Sequence, residues 1–118
     1  MFIGLVDADQ NPFWPGAVSR IAAEIVVWDL IYVRGDKFAF INRNPVEFLA
    51  YRDIGPITGI ALYREADDER PVGPPYMLGR RTDPVRAGDM VILVPGHLMI
   101  TTTLNPDPRW ARVRQPVR

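Results

Sequence analysis

One histidine, one serine, one lysine and no cysteine set the chemical limits of this 118-residue chain. His97 is the only side chain whose ordinary titration lies near neutral pH. It sits just past a Pro95-Gly96 pair, with no cysteine or carboxylate pattern beside it, so it reads as an exposed turn residue rather than a metal ligand. A Ser–His pair would need Ser19, far away in sequence, to be brought to it by the fold. Lys37 follows no glycine-rich phosphate loop, and no dinucleotide fingerprint is present. Glu24, Asp29 and Glu47 could oppose one another across a sheet as an acid–base pair, but no spacing selects them. "DADQNP" at 7–12 begins like a calcium loop. That loop needs Gly at its sixth position and Glu at its twelfth, where Pro12 and Val18 stand. "EADDER" at 65–70 is flanked by Arg64 and Arg70 and reads as a solvated hairpin tip. The expectation is therefore no enzyme, no cofactor and no metal.

The elements that would hold these residues are short. Twelve prolines and nine glycines punctuate a chain that is 47% hydrophobic, which is strand-and-turn spacing. Strands are predicted at 2–6, 24–33, 37–41, 46–50, 57–63, 75–79, 90–94 and 98–104. The run "IAAEIVVWDLIYV" has helical spacing at Ile21, Ile25, Trp28 and Tyr32, but its β-branched and aromatic content favours a strand, after a short helical turn near Ser19. "IYVRGDKFAFI" contains Arg34-Gly35-Asp36, which could be an adhesion tripeptide. Gly-Asp between two β-rich runs is better read as a hairpin corner. "AGDMVILVPGHLMITT" predicts a second hairpin, turning at Pro95-Gly96 in a type II turn.

These features give one all-β domain over 1–104, an antiparallel β-sandwich or jelly-roll-like barrel of about eight short strands. An extended, proline-rich arm follows at 105–118. Fourteen basic residues balance fourteen acidic ones, so no global field calls for nucleic acid or a membrane. The start "MFIGLVDADQ" reads as neither a secretory signal nor a membrane span. The arm carries Arg109, Arg112, Arg114 and Arg118 against Asp107, a net +3 that leaves −3 on the rest. Trp110 among those arginines could stack on bases, but suits an anchor on a protein neighbour better. The proline-flanked Phe13 and Trp14 invite the same partner-binding reading, or cap the sandwich.

From Asn44 to Leu104 the order of motifs resembles a family of small bacteriophage virion proteins, labelled head-decoration or tail-fibre proteins. Asn44, Val46, Phe48 and Ala50 match its "N…V-x-F-x-x-A" strand. Ile57, Thr58, Leu62 and Tyr63 match "I-T-x-x-x-[IL]-[FY]". Tyr76 and Leu78 follow in the aromatic strand. Gly88, Asp89 and Val91 match "GD-x-V-x-F", and Gly96, Leu98, Ile100 and Thr101 match the closing "G-x-L-x-[IV]-T". The resemblance implies a protein located in the virion at the capsid surface, without catalytic residues. It would be a decoration (cement) protein, binding the major capsid protein and identical copies of itself, as a homotrimer or at a symmetry axis. The alternatives are a tail or tail-fibre protein, or a carbohydrate-binding module using Trp28, Tyr51 or Tyr63.

Overall fold

The computed structural model describes residues 1–34, 37–78, 81–102 and 112–113. Within them lie β1 (Phe2–Asp7), β2 (Ile21–Ala22), a 3-10 turn (Ala23–Ile25), β3 (Val27–Arg34) and β4 (Lys37–Asn42). Then come β5 (Val46–Leu49), β6 (Ile57–Tyr63), β7 (Tyr76–Met77), β8 (Met90–Leu93), β9 (Met99–Thr102) and β10 (Arg112–Val113). The fold is all-β, as expected. Its strands form three sheets, ordered β2-β1-β6-β7, β10-β3-β4-β9 and β5-β8.

Alternation drives the architecture. Side chains on a strand point to opposite faces in turn, and each sheet sends one face inward. Ile3 and Leu5 of β1 lie opposite Leu62 and Ile60 of β6. Phe40 of β4 sits between Leu30 of β3 and Ile100 of β9. Val46 and Phe48 of β5 face Leu93 and Val91 of β8. These residues, with Trp28, Ile57 and Leu98, form one continuous core. Each large side chain sealed there contributes roughly 1.5–3 kcal/mol. On the back of the β1–β6 pair, Val6, Ala61, Tyr63 and Phe2 make a second, smaller cluster. Both faces of those two strands are therefore covered.

Four expectations need correction. The predicted strand 24–33 begins only at Val27, after the 3-10 turn. Val26 N and Trp28 Nε1 both donate to Ala23 O, at 3.2 and 3.1 Å, which bends the chain and leaves Ile25 72% exposed. The predicted strand 75–79 shrinks to two residues behind Pro74 and Pro75, which lack backbone donors. The strand count is ten among the described residues, not eight, through the two-residue β2 and β10. Finally, β8 and β9 do not form a hairpin. β8 pairs with β5 and β9 with β4, so the chain changes sheets between them.

The corner itself is as expected. His97 N donates to Val94 O at 3.0 Å and Gly96 has φ of 82°, the type II geometry that Pro-Gly favours. What redirects the chain is Asn42, the one buried polar residue among those described. Its Nδ2 donates to the carbonyls of Asn44, Leu93 and Val94 at 2.8, 3.2 and 3.0 Å. Its Oδ1 accepts from Leu98 N at 2.9 Å. One amide thus ties the end of β4 to both sides of the corner.

Elsewhere the β3–β4 hairpin stands as read. Its register runs from Trp28↔Asn42 to Arg34↔Lys37, with an irregularity between Tyr32 and Arg34. Tyr32 and Phe38 meet edge-to-face across it at 5.8 Å. Gly35 and Asp36 lie outside the described residues. No described helix is long and apolar enough to cross a membrane.

Candidate binding surface and cleft

The loop joining β1 to β2 folds back on the domain. Asp7 Oδ1 accepts from Asp9 N and Asn11 N, both at 2.9 Å, closing a turn that places Gln10 at φ of 65°. This is the work of the "DADQNP" stretch, and no group of three potential metal-binding side chains exists among the described residues. Phe13 N then reaches Leu5 O at 2.9 Å, and Val18 bridges to Ala50. The two aromatic residues part company here. Phe13 is half-buried and packs on the core, whereas Trp14 stays 59% exposed. The Trp14 indole folds over Gly16, where a Cβ would stand only 2.7 Å from Cη2. The Arg52 guanidinium lies 5.4 Å from its ring centroid.

Beside Trp14 is a surface cleft of about 490 Å³, lined by Pro12, Phe13, Trp14, Arg20, Tyr63, Asp67 and Glu69. Arg20 organises it. Its Nη1 donates to the carbonyls of Ala66 and Asp68, at 3.1 and 2.6 Å, which pins the loop after β6. That loop closes on itself where Glu65 N meets Asp68 Oδ2 at 3.1 Å. The "EADDER" tip is thus solvated, as read, but anchored. The Arg20 guanidinium stacks on Tyr63 at 3.5 Å from the ring centroid, a cation–π contact strengthened by desolvation. Burial pushes the Tyr63 phenol above its ordinary value, while the positive charge of Arg20 pulls it partway back. Neither Tyr63 Oη nor Arg20 Nε finds a well-aligned hydrogen-bond partner in the protein.

The cleft depends on Arg20, which sequence reasoning passed over, and on Tyr63, which it offered only as a motif match and for a carbohydrate groove. Arg20 and Tyr63 are distant in the chain, and the pairing of β1 with both β2 and β6 joins them. Gly4 was the available signal, since glycine inside a strand marks close approach. A Cβ there would lie 2.8 Å from Tyr63 Cε2 and 3.4 Å from Arg20 Nε.

A second candidate surface is apolar. Along β8 the outward positions are Met90, Ile92 and, just beyond the strand, Val94, at 43, 51 and 51% exposure. Half-buried Leu49 and exposed Glu47 of β5 sit beside Met90 and Ile92 in register. On the other large sheet Ile31, Val33 and Met99 are also exposed.

Of the remaining expected site residues, Arg112 stands in β10, whose backbone pairs in parallel with β3 as Arg112↔Val27 and Val113↔Trp28. Arg109, Trp110, Arg114 and Arg118 lie outside the described residues. Of the three residues for a carbohydrate groove, Trp28 and Tyr63 are fully buried and only Tyr51 is exposed, so they form no common groove. Half-buried His97 occupies the expected turn. Comparison of the chain with protein-family models, with curated proteins and with solved structures gives no match.

Proposed function

We propose that this chain is a structural protein of a bacteriophage virion, a capsid decoration protein that binds the major capsid protein shell and braces neighbouring subunits. The observation that carries the reading is the apolar strip Met90–Ile92–Val94 on the outer face of the β5–β8 sheet. Single exposed hydrophobic residues are ordinary, but a contiguous strip on a rigid sheet is what a protein partner covers. The motif order from Asn44 to Leu104 supports the same assignment. Function would then be mechanical, and a lattice that repeats one modest contact many times supplies the strength. Arg109, Trp110, Arg112, Arg114 and Arg118 would add a second contact, to the shell or to identical copies in a trimer.

Quantitative mass spectrometry of purified particles tests this directly. A decoration role predicts on the order of hundreds of copies per particle, because each capsomer repeats the site. A handful of copies co-purifying with isolated tails would move the protein to the tail or fibre base. Failure to co-sediment with heads and tails alike would end the assignment.

A further inference from the structure

The backbone of β8 is open along one side. In an antiparallel pair, directly opposed residues alternate between exchanging both N–H···O bonds and exchanging neither. Ala50 N donates to Asp89 O at 3.0 Å, which belongs to the bonded series of the β5–β8 ladder. Leu49, one residue away, turns its groups the other way. Its N–H donates to Ser19 Oγ at 2.8 Å and its C=O accepts from Ser19 N at 2.9 Å. In register Leu49 faces Met90, and Glu47 faces Ile92. Met90 and Ile92 therefore aim their N–H and C=O groups away from β5. Residues 17–19 cover the far side of β5, through Leu49 and through Tyr51 N, which donates to Ala17 O. On β8, none of the outward groups of Met90 and Ile92 has a backbone partner among the described residues.

Open sheet edges are ordinarily guarded by a lysine, a proline or an inward-pointing charge. "MVILV" at 90–94 has none of these, and its exposed side chains, Met90, Ile92 and Val94, are apolar. Shortness is its one protection. The other sheet-end strands offer less, since β2, β7 and β10 have two residues each and β9 lies beside β7. A second β8 answers this edge group for group. Set antiparallel with Val91 on a two-fold axis, it places Met90 opposite Ile92 of the second copy, and Ile92 opposite its Met90. Each of those pairs exchanges both bonds, so about four hydrogen bonds form and the outward groups of Met90 and Ile92 are all used. No charge at 90–94 repels a like strand, and Met and Ile side chains meet across the junction. We propose that the β8 edge pairs with the β8 edge of a second copy of this chain, joining two β5–β8 pairs into one four-stranded sheet. A contact of that symmetry closes at two copies. Its area falls below that of a standard interface, so the dimer is weak and the dilute chain is the monomer. The inference does not rest on the virion assignment, because the pairing uses the strand's edge and leaves both apolar strips on one outer face.

The test is sedimentation equilibrium of the full chain up to about 1 mM, with a monomer–dimer Kd of about 100 μM expected. Ile92→Pro removes an outward N–H that β5 does not use, a position where a strand tolerates proline. It should weaken dimerisation about tenfold or more, whereas Ile92→Val should leave it unchanged. Disulfide trapping reads the register, and it is clean in a chain without cysteine. Mixing Met90→Cys with Ile92→Cys brings the two Cα atoms about 5.5 Å apart, within disulfide reach. Either variant alone holds its own copies roughly 7–8 Å apart, beyond that reach. Covalent dimers should form in the mixture and not in the single variants. A chain that stays monomeric throughout overturns the proposal. So does a dimer that a folded Ile92→Pro variant leaves intact, or trapping by the single variants equal to that of the mixture. Trapping needs no proline, so it decides the question if Ile92→Pro fails to fold.

Discussion

Two buried side chains decide most of what single residues do in this protein. Asn42 satisfies three carbonyls and one N–H with a single amide. Asn42→Ala takes a partner from the Leu93 carbonyl and the Leu98 N–H at buried contacts, where each orphaned group costs about 1–3 kcal/mol before relaxation, while the Val94 carbonyl keeps the His97 N–H. A loss of about 3 kcal/mol in denaturant unfolding is the expected result, and a loss below about 1 kcal/mol would remove Asn42 from its role at the corner. Tyr63 acts through its proton. Burial raises the folded-state phenol above its ordinary value of 10.0, with Arg20 offsetting part of the rise. The folded state therefore holds that proton more tightly than the unfolded chain does. Stability from the neutral phenol is fully present below pH 10 and falls as pH climbs through the raised folded value. Tyr63→Phe should flatten the alkaline decline in unfolding free energy. It should cost little at neutral pH, because the buried hydroxyl it deletes has only the loosely aligned Arg20 side chain as a partner. An unchanged alkaline slope in the variant would assign the titration elsewhere.

At the scale of elements, tolerance to a methyl group distinguishes positions where strands meet closely from open ones. Gly59 on β6 pairs with Met77 of β7, and a Cβ there would lie 2.6 Å from Tyr76 O, a backbone atom. Gly59→Ala must therefore displace β7, at a cost of about 1–3 kcal/mol. In a domain of this size that lowers Tm by about 4 °C per kcal/mol. Gly55 has no neighbour within 4 Å of the same position, and Gly55→Ala should leave Tm unchanged or slightly higher. Equal effects in thermal melts would contradict the close packing of β7 on β6. Elements were also the level at which sequence reading did best. Proline and glycine punctuation of short apolar runs located β1, β4, β6 and β8 to within a residue at each end, because such runs have little choice but to enter the core. It failed at the corner after β8. Pro95-Gly96 dictates a local turn, but its exit direction depends on the Asn42 side chain, brought in from another strand. The site divides along the same line. Trp14 stood out locally between Pro12 and Pro15, whereas Arg20, Tyr63 and Asp67 converge only through strand pairing and a loop that Arg20 itself holds.

For the whole molecule the question is what its outer surface costs when left in water. The core already closes three sheets on one another, so the outward side chains of β8 contribute little to folding. Ile92 and Met90 sit opposite Glu47 and Leu49 in register, and replacing them with glutamate adds charge to a strand face without entering the core. The double variant Met90→Glu, Ile92→Glu should unfold within about 1 kcal/mol of the parent, the repulsion between the new carboxylate at position 92 and Glu47 included. Under the proposed decoration role, the outcome on an assembled shell is opposite. Two carboxylates pressed into an apolar contact would be desolvated without partners, a penalty of several kcal/mol per site. Repetition across a lattice multiplies that loss. Purified particles grown with the double variant should therefore lack the protein, although the free domain stays folded, and they should release their DNA at lower temperature. Normal incorporation of a stably folded double variant would show that the β8 face is not the docking surface. A variant that fails both to fold and to incorporate would show that these side chains serve the domain's own stability instead. Particle content and the melting curve of the free domain, measured together, separate the three outcomes.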